Sequence, residues 1–222
     1  MSKNIEFLST FSLIIGHFEN KIIEKRFLPA FLNSMKNETL IVPLLPSIFS
    51  ICEGKYKIDF ESQVWPTLKT LFHMKQIPAQ ALYFILSKIC VISEKVSNSE
   101  FVSNMLNIIC KALDCGVGKI QAVVLDNLTF IIKKVDSLAF KNQIFPRLVS
   151  IVLNTTSQKI KIDILKSFTN VYSLLDQNII NESLLNTLEK VRKSDNTSEV
   201  CISVVGVYEE IAKVVSVEVF SG

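Results

Sequence analysis

Apolar residues recur at helical spacing along nearly the whole chain, with polar residues filling the positions between them. Around residue 148, Ile144, Leu148 and Val152 stand four apart with Phe145 and Val149 beside them, which draws one apolar stripe on a helix. Downstream, Ile164, Leu165, Phe168, Val171, Tyr172 and Leu175 advance in short steps that keep them to one side, while Lys159, Asp163 and Lys166 fall on the opposite face. Read throughout, the pattern predicts helices at 4–21, 24–36, 39–52, 59–73, 77–95, 99–113, 117–135, 137–153, 157–175, 179–193 and 197–218. Gly54 fits a helix C-terminus and Pro78 a first helical turn, and Gly116 and Gly118 bracket a turn after Cys115. Pro43 and Pro46 predict a late start or a kink, because an interior proline removes a hydrogen bond and collides with the preceding turn. Pro29, Pro66 and Pro146 raise the same difficulty unless their helices begin or bend near them.

A short pattern repeats through these helices: a large apolar residue, Pro or Asn, any residue, then another apolar one. It occurs at Leu28-Pro29-Ala30-Phe31, Trp65-Pro66-Thr67-Leu68, Leu106-Asn107-Ile108-Ile109, Phe145-Pro146-Arg147-Leu148 and Leu185-Asn186-Thr187-Leu188. Its second positions (Pro29, Pro66, Asn107, Pro146, Asn186) recur about every forty residues. Asn37, Asp114, Asn154 and Asp195 follow in phase, where a first helix should end in a polar turn. Two helices per period of about forty is the signature of a HEAT/armadillo-type repeat. The expected fold is therefore all-α: a solenoid of about five helix pairs plus an N-terminal helix, with residues 1–222 forming one continuous domain. Each pair buries one side against its neighbours, so stacking builds the core.

Composition agrees with helices. Of 222 residues 49% are hydrophobic, with only six glycines and six prolines, too few for the frequent turns of a sandwich or barrel. A net charge of +3 does not point to nucleic acid. Its distribution is uneven, however: Lys133, Lys134, Lys141, Arg147, Lys159, Lys161 and Lys166 face only Asp136 and Asp163 in that stretch, and acids dominate from Asp176 to Glu218. These runs read either as solvated helix faces or as a basic patch for an acidic partner or an anionic membrane surface, with Lys133, Lys134, Lys141, Arg147, Lys159 and Lys166 as its candidate residues. The five cysteines (Cys52, Cys90, Cys110, Cys115, Cys201) have no C-x-x-C spacing and read as small buried hydrophobes in a reducing compartment. A secretory leader is not expected, since Glu6 sits where a basic region should precede the apolar run and no cleavage site follows.

Catalytic chemistry finds no foothold. His17 and His73 lie in different repeats without ligand partners at metal spacing, so neither a metal nor another cofactor is expected. No G-x-S-x-G elbow occurs, and none of the protein-kinase signatures V-A-I-K, H-R-D or D-F-G. The string Asp114-Cys115-Gly116-Val117-Gly118-Lys119-Ile120 resembles the end of a phosphate loop, but Leu113 and Ile120 replace the opening glycine and the magnesium-binding hydroxyl. The expectation is a non-enzymatic protein with no small-molecule substrate.

Taken in order, Phe27-Leu28-Pro29, Val42-Pro43, Pro46, Trp65-Pro66-Thr67-Leu68, Ile120-Gln121, Lys141-Asn142-Gln143-Ile144-Phe145-Pro146-Arg147-Leu148 and Thr156-Ser157 resemble the HEAT-repeat region of the SCY-like pseudokinases. The coated-vesicle-associated branch is the nearest in pattern, from about Phe7 to Val191. The resemblance implies a helical scaffold that follows a kinase-like domain, which this sequence lacks. It implies protein partners among clathrin coat or adaptor components, peripheral membrane contact, and a cytoplasmic location at Golgi, endosomes or coated vesicles. A sister branch of the family acts in Golgi-to-ER retrieval and tRNA export, which makes an adaptor in nucleocytoplasmic or tRNA transport the alternative. Asn107 and Asn186 depart from the expected proline, and Lys161 stands where an arginine is expected, near the apolar side of its helix, and reads first as structural.

Overall fold

The computed structural model describes residues 7–8, 10–11 and 13–221, the side chains of 214–221 excepted. The described residues are mostly helical and contain no strand, so the fold is all-α. The main helices are α1 (Leu28–Ser34), α2 (Glu38–Glu53), α3 (Trp65–Phe72), α4 (Ala79–Ser87), α5 (Ile89–Lys95) and α6 (Asn98–Asp114), followed by α7 (Gly118–Asp126), α8 (Leu128–Lys134), α9 (Phe145–Asn154), α10 (Gln158–Val171), α11 (Leu185–Ser194) and α12 (Ser198–Ser221). By contacts the chain divides into two compact units, Met1–Asn104 and Met105–Gly222. In the first, α1 packs on α2 and α2 on α4. In the second, α9 packs on α10 and on α11, α11 on α12, and α10 lies between α7 and α12.

The repeat marker has a structural meaning that its residues did not disclose. Immediately before Pro29, Pro66 and Pro146 the chain makes a π turn, at Ile23–Phe27, Phe60–Val64 and Phe140–Ile144. In each case the residue preceding the proline donates its N–H five residues back: Leu28 to Ile23, Trp65 to Phe60, Phe145 to Phe140. The widened turn moves the carbonyl that an α-helix would drive into the proline ring. A π turn also precedes Asn186, at Ile179–Leu184, although no proline demands it there. Asn107 instead lies inside the uninterrupted α6. Prolines are thus tolerated at a turn that belongs to the repeat.

Two expectations need correction, and of the late start or kink expected at Pro43 and Pro46 the first is excluded. Both Pro43 and Pro46 lie inside α2, which starts at Glu38 on an Asn37 cap whose side chain accepts from Thr39 N–H, so there is no late start. Burial of Ile41, Leu44, Leu45, Ile48, Phe49 and Ile51 offsets the two lost hydrogen bonds. The helix expected over 4–21 falls partly outside the described residues. Within them it ends in a 3-10 turn at Ile15–His17, and a new helical turn starts at Asn20. The cysteines are not uniformly buried: Cys52 and Cys110 are, Cys201 is half-buried, and Cys90 and Cys115 are exposed. Burial pushes the Cys52 thiol up to about 12, so it packs as a neutral hydrophobe.

Contacts one repeat apart tie the pairs together inside each unit. Glu24 and Glu61 hold equivalent places in successive π turns and accept the backbone N–H of Lys57 and Ser97 at 2.9 and 3.1 Å. The turn after α6 is closed by Gln121, a buried side chain whose Nε2 donates to Leu113 carbonyl at 2.8 Å. Gly116 gives this turn a φ of 69°, the left-handed region that costs other residues most. An added Cβ there would meet nothing within 4 Å. Gly116→Ala should therefore lose about 1–2 kcal/mol from backbone strain alone. Urea denaturation measures this, and Gly116→Asn should recover part of the loss.

Candidate protein-interaction surface

Helix α10 begins where Ser157 accepts from Ile160 N–H. Its inner face, Ile160, Ile164, Leu165, Phe168 and Val171, is buried. Its outer face carries Lys159, Asp163, Lys166 and Asn170 at spacings of four, three and four, one stripe of a helix. This stripe borders a groove of about 500 Å³ whose other wall comes from α7 and α8, with Leu125, Asp126 and Thr129.

The structure separates the candidate basic residues into two sets. Arg147 is occupied: its Nε reaches both carboxylate oxygens of Asp114 at 3.1 and 2.9 Å, and its Nη1 donates to Gln143 carbonyl at 2.5 Å. The Asp114 carboxylate holds the guanidinium above its ordinary pKa. Lys141 stands 3.9 Å from Glu182, and Lys134 lies over the Phe130 ring at 5.8 Å. Lys159 and Lys166 are exposed on the groove, and Lys133 is exposed at the end of α8, one turn beyond Thr129. The cations of the run 133–166 thus differ in how far they are already paired. Sequence reading did not place Asp126 and Asn170 at the groove. The α10 stripe could have revealed Asn170, but Asp126 joins only through the packing of α7 on α10.

Lys161, on the side of α10 toward α12, forms the most buried of the ion pairs among the described residues, 2.6 Å from Asp195 with side chains 12% and 17% exposed. The structural reading of this lysine holds. His17 and His73 are both exposed, and no group of three His, Cys, Asp or Glu among the described residues could hold a metal. No described helix is long and apolar enough to cross a membrane. A second groove, about 550 Å³ and more open, runs past Asp114, Arg147 and Asn154, but its arginine is already paired.

No family model matches the chain. Curated proteins do. SCY1-like protein 2 from Homo sapiens is 21% identical over 204 residues, covering 92% of this chain and 22% of that protein, and the Mus musculus protein matches to the same extent. The protein kinase domain-containing protein ppk32 from Schizosaccharomyces pombe is 26% identical over 211 residues, covering 93% of this chain and 28% of that protein. The chain thus spans about a quarter of the length of these relatives. Across more than nine-tenths of its own length, the chain is similar in sequence to SCY1-like protein 2 and to ppk32.

Proposed function

We propose that this chain is a non-catalytic helical-repeat scaffold of HEAT type, binding proteins in clathrin-dependent vesicle traffic as part of, or derived from, a SCY-like pseudokinase. The observation that carries the reading is the match to SCY1-like protein 2 over 92% of a chain that is mostly helical, with no strand, where described. Stacked helix pairs present long outer faces, and such faces bind other proteins. The kinase domain in one relative's name belongs to that protein, and the residues of this chain that match it form helices and no strand where described. Partners are clathrin coat or adaptor components, and the location is the cytoplasmic side of Golgi, endosomes or coated vesicles.

Purified chain immobilised on beads should retain purified clathrin coats or adaptor complexes and should hydrolyse no ATP. Absence of retention would overturn the trafficking role. Turnover of ATP would overturn the non-catalytic one.

A further inference from the structure

The groove beside α10 has a charge pattern specific enough to name a ligand. Gly118, at the start of α7, packs against Ile160, at the start of α10, with 3.4 Å between an ideal Cβ and the isoleucine side chain. Eleven and ten residues on, Thr129 and Asn170 line the groove together, so the two helical walls run parallel. Along one wall stand Lys159, Asp163, Lys166 and Asn170, and none of these side chains has an ion pair or side-chain hydrogen bond among the described residues. The two lysines are seven residues apart, about 10 Å along the helix axis. Asp163 sits midway.

We propose that this groove binds an extended acidic peptide segment of a partner protein, with carboxylates three residues apart in a polyproline II conformation. Such a segment turns once in three residues and rises about 9 Å, so residues i and i+3 point the same way at nearly the lysine spacing. Each carboxylate meets one lysine. The two residues between them are uncharged and leave their backbone N–H groups toward Asp163, while Asn170 offers both a donor and an acceptor to the following peptide unit. The carboxylates of Asp163 and Asp126 oppose a continuous run of negative charge, which disfavours a nucleic-acid backbone or an anionic bilayer and selects spaced acids. The proposal rests on the protein-binding reading above and names the chemistry of the partner.

The test uses the full chain and a fluorescent proline-rich octapeptide with two glutamates at i and i+3, read by anisotropy. Its isomer with the glutamates at i and i+1 should bind about fivefold more weakly, and the double variant Lys159→Ala/Lys166→Ala should lose about five- to tenfold for the first peptide. Both lysines are exposed, and circular dichroism verifies that this variant folds. Asp163→Asn should leave the spaced peptide within about twofold and raise affinity for a peptide of four consecutive glutamates. Equal affinity for the two isomers, or no loss in the double variant, would overturn the proposal. So would binding to phosphatidylserine vesicles or tRNA that depends on the two lysines and exceeds binding of the peptide. Peptide binding without retention of coats overturns the trafficking role alone, and coat retention unaffected by the double variant, with no peptide binding, overturns this proposal alone.

Discussion

Trp65→Ala should destabilise the protein by about 3–5 kcal/mol, the usual cost of emptying a large aromatic site in a packed core. Trp65 is 1% exposed and lies between the Phe60 and Phe72 rings, at centroid distances of 6.4 and 5.5 Å. It starts α3 directly after a π turn, so its position depends on the repeat geometry as well as on its own packing. Its Nε1 donates to Glu100 at 2.9 Å, and Lys69 reaches the same carboxylate oxygen at 2.9 Å. Those two bonds, Lys69's first, hold the Glu100 carboxyl below its ordinary pKa. Trp65→Phe separates the contributions: it keeps most of the ring contact, loses the indole N–H and leaves Glu100 paired to Lys69, so about 1–2 kcal/mol should be lost. With the single tryptophan removed, urea denaturation is followed by far-ultraviolet circular dichroism. A loss below about 1 kcal/mol for the alanine variant would mean that the core closes over the vacancy.

The order of helices was legible because each apolar stripe is long and the marker keeps its phase. Residues 59–73 were expected as one helix and form a π turn followed by α3, and 157–175 matches α10 with a 3-10 extension at Tyr172–Leu174. Finer geometry was not legible. The helices expected at 77–95 and 117–135 are each interrupted, at Lys88 and Asn127, because the apolar rhythm continues across both positions while the backbone does not. These interruptions fall at matching places in consecutive repeats, and only the cap geometry shows them: Asn127 N–H donates to Val124 carbonyl at 3.2 Å and Lys88 N–H to Ile85 at 3.1 Å.

The interaction surface was legible as composition and illegible as pairing. A run of lysines and arginine says nothing about which cations are already answered. Arg147 finds its carboxylate 33 residues earlier at Asp114, and Lys141 finds one 41 residues later at Glu182. Those separations are about one repeat, so the same periodicity that brings cations into a run also brings acids from neighbouring repeats against them. What is left for a partner is the remainder after that pairing. Lys159 and Lys166 belong to it because neither Asp126 across the groove nor Asp163 on their own helix makes an ion pair with either among the described residues.

Lys161 was the one cation whose structural role the sequence suggested, and removing it should produce the second large effect. Lys161→Ala should cost about 2 kcal/mol, as expected for charge-assisted hydrogen bonds in a largely buried pair. The carboxylate it leaves behind is Asp195, in the turn between α11 and α12, which also accepts from Thr197 N–H at 3.1 Å and Thr197 Oγ1 at 2.7 Å. Lys161 first, then Thr197, lowers the Asp195 pKa to about 2. Because the folded value is below that of the unfolded chain, near 3.9, this group contributes its full stability above about pH 5 and loses it as pH falls from about 4 toward 2. Asp195→Asn keeps the acceptor for Thr197 but removes the charge, so the stability difference between wild type and this variant should be constant from pH 5 to 7 and shrink below pH 4. Urea midpoints measured across that range test the sign. A difference that grows on acidification would show that the folded protein raises the Asp195 pKa, contrary to the pairing with Lys161.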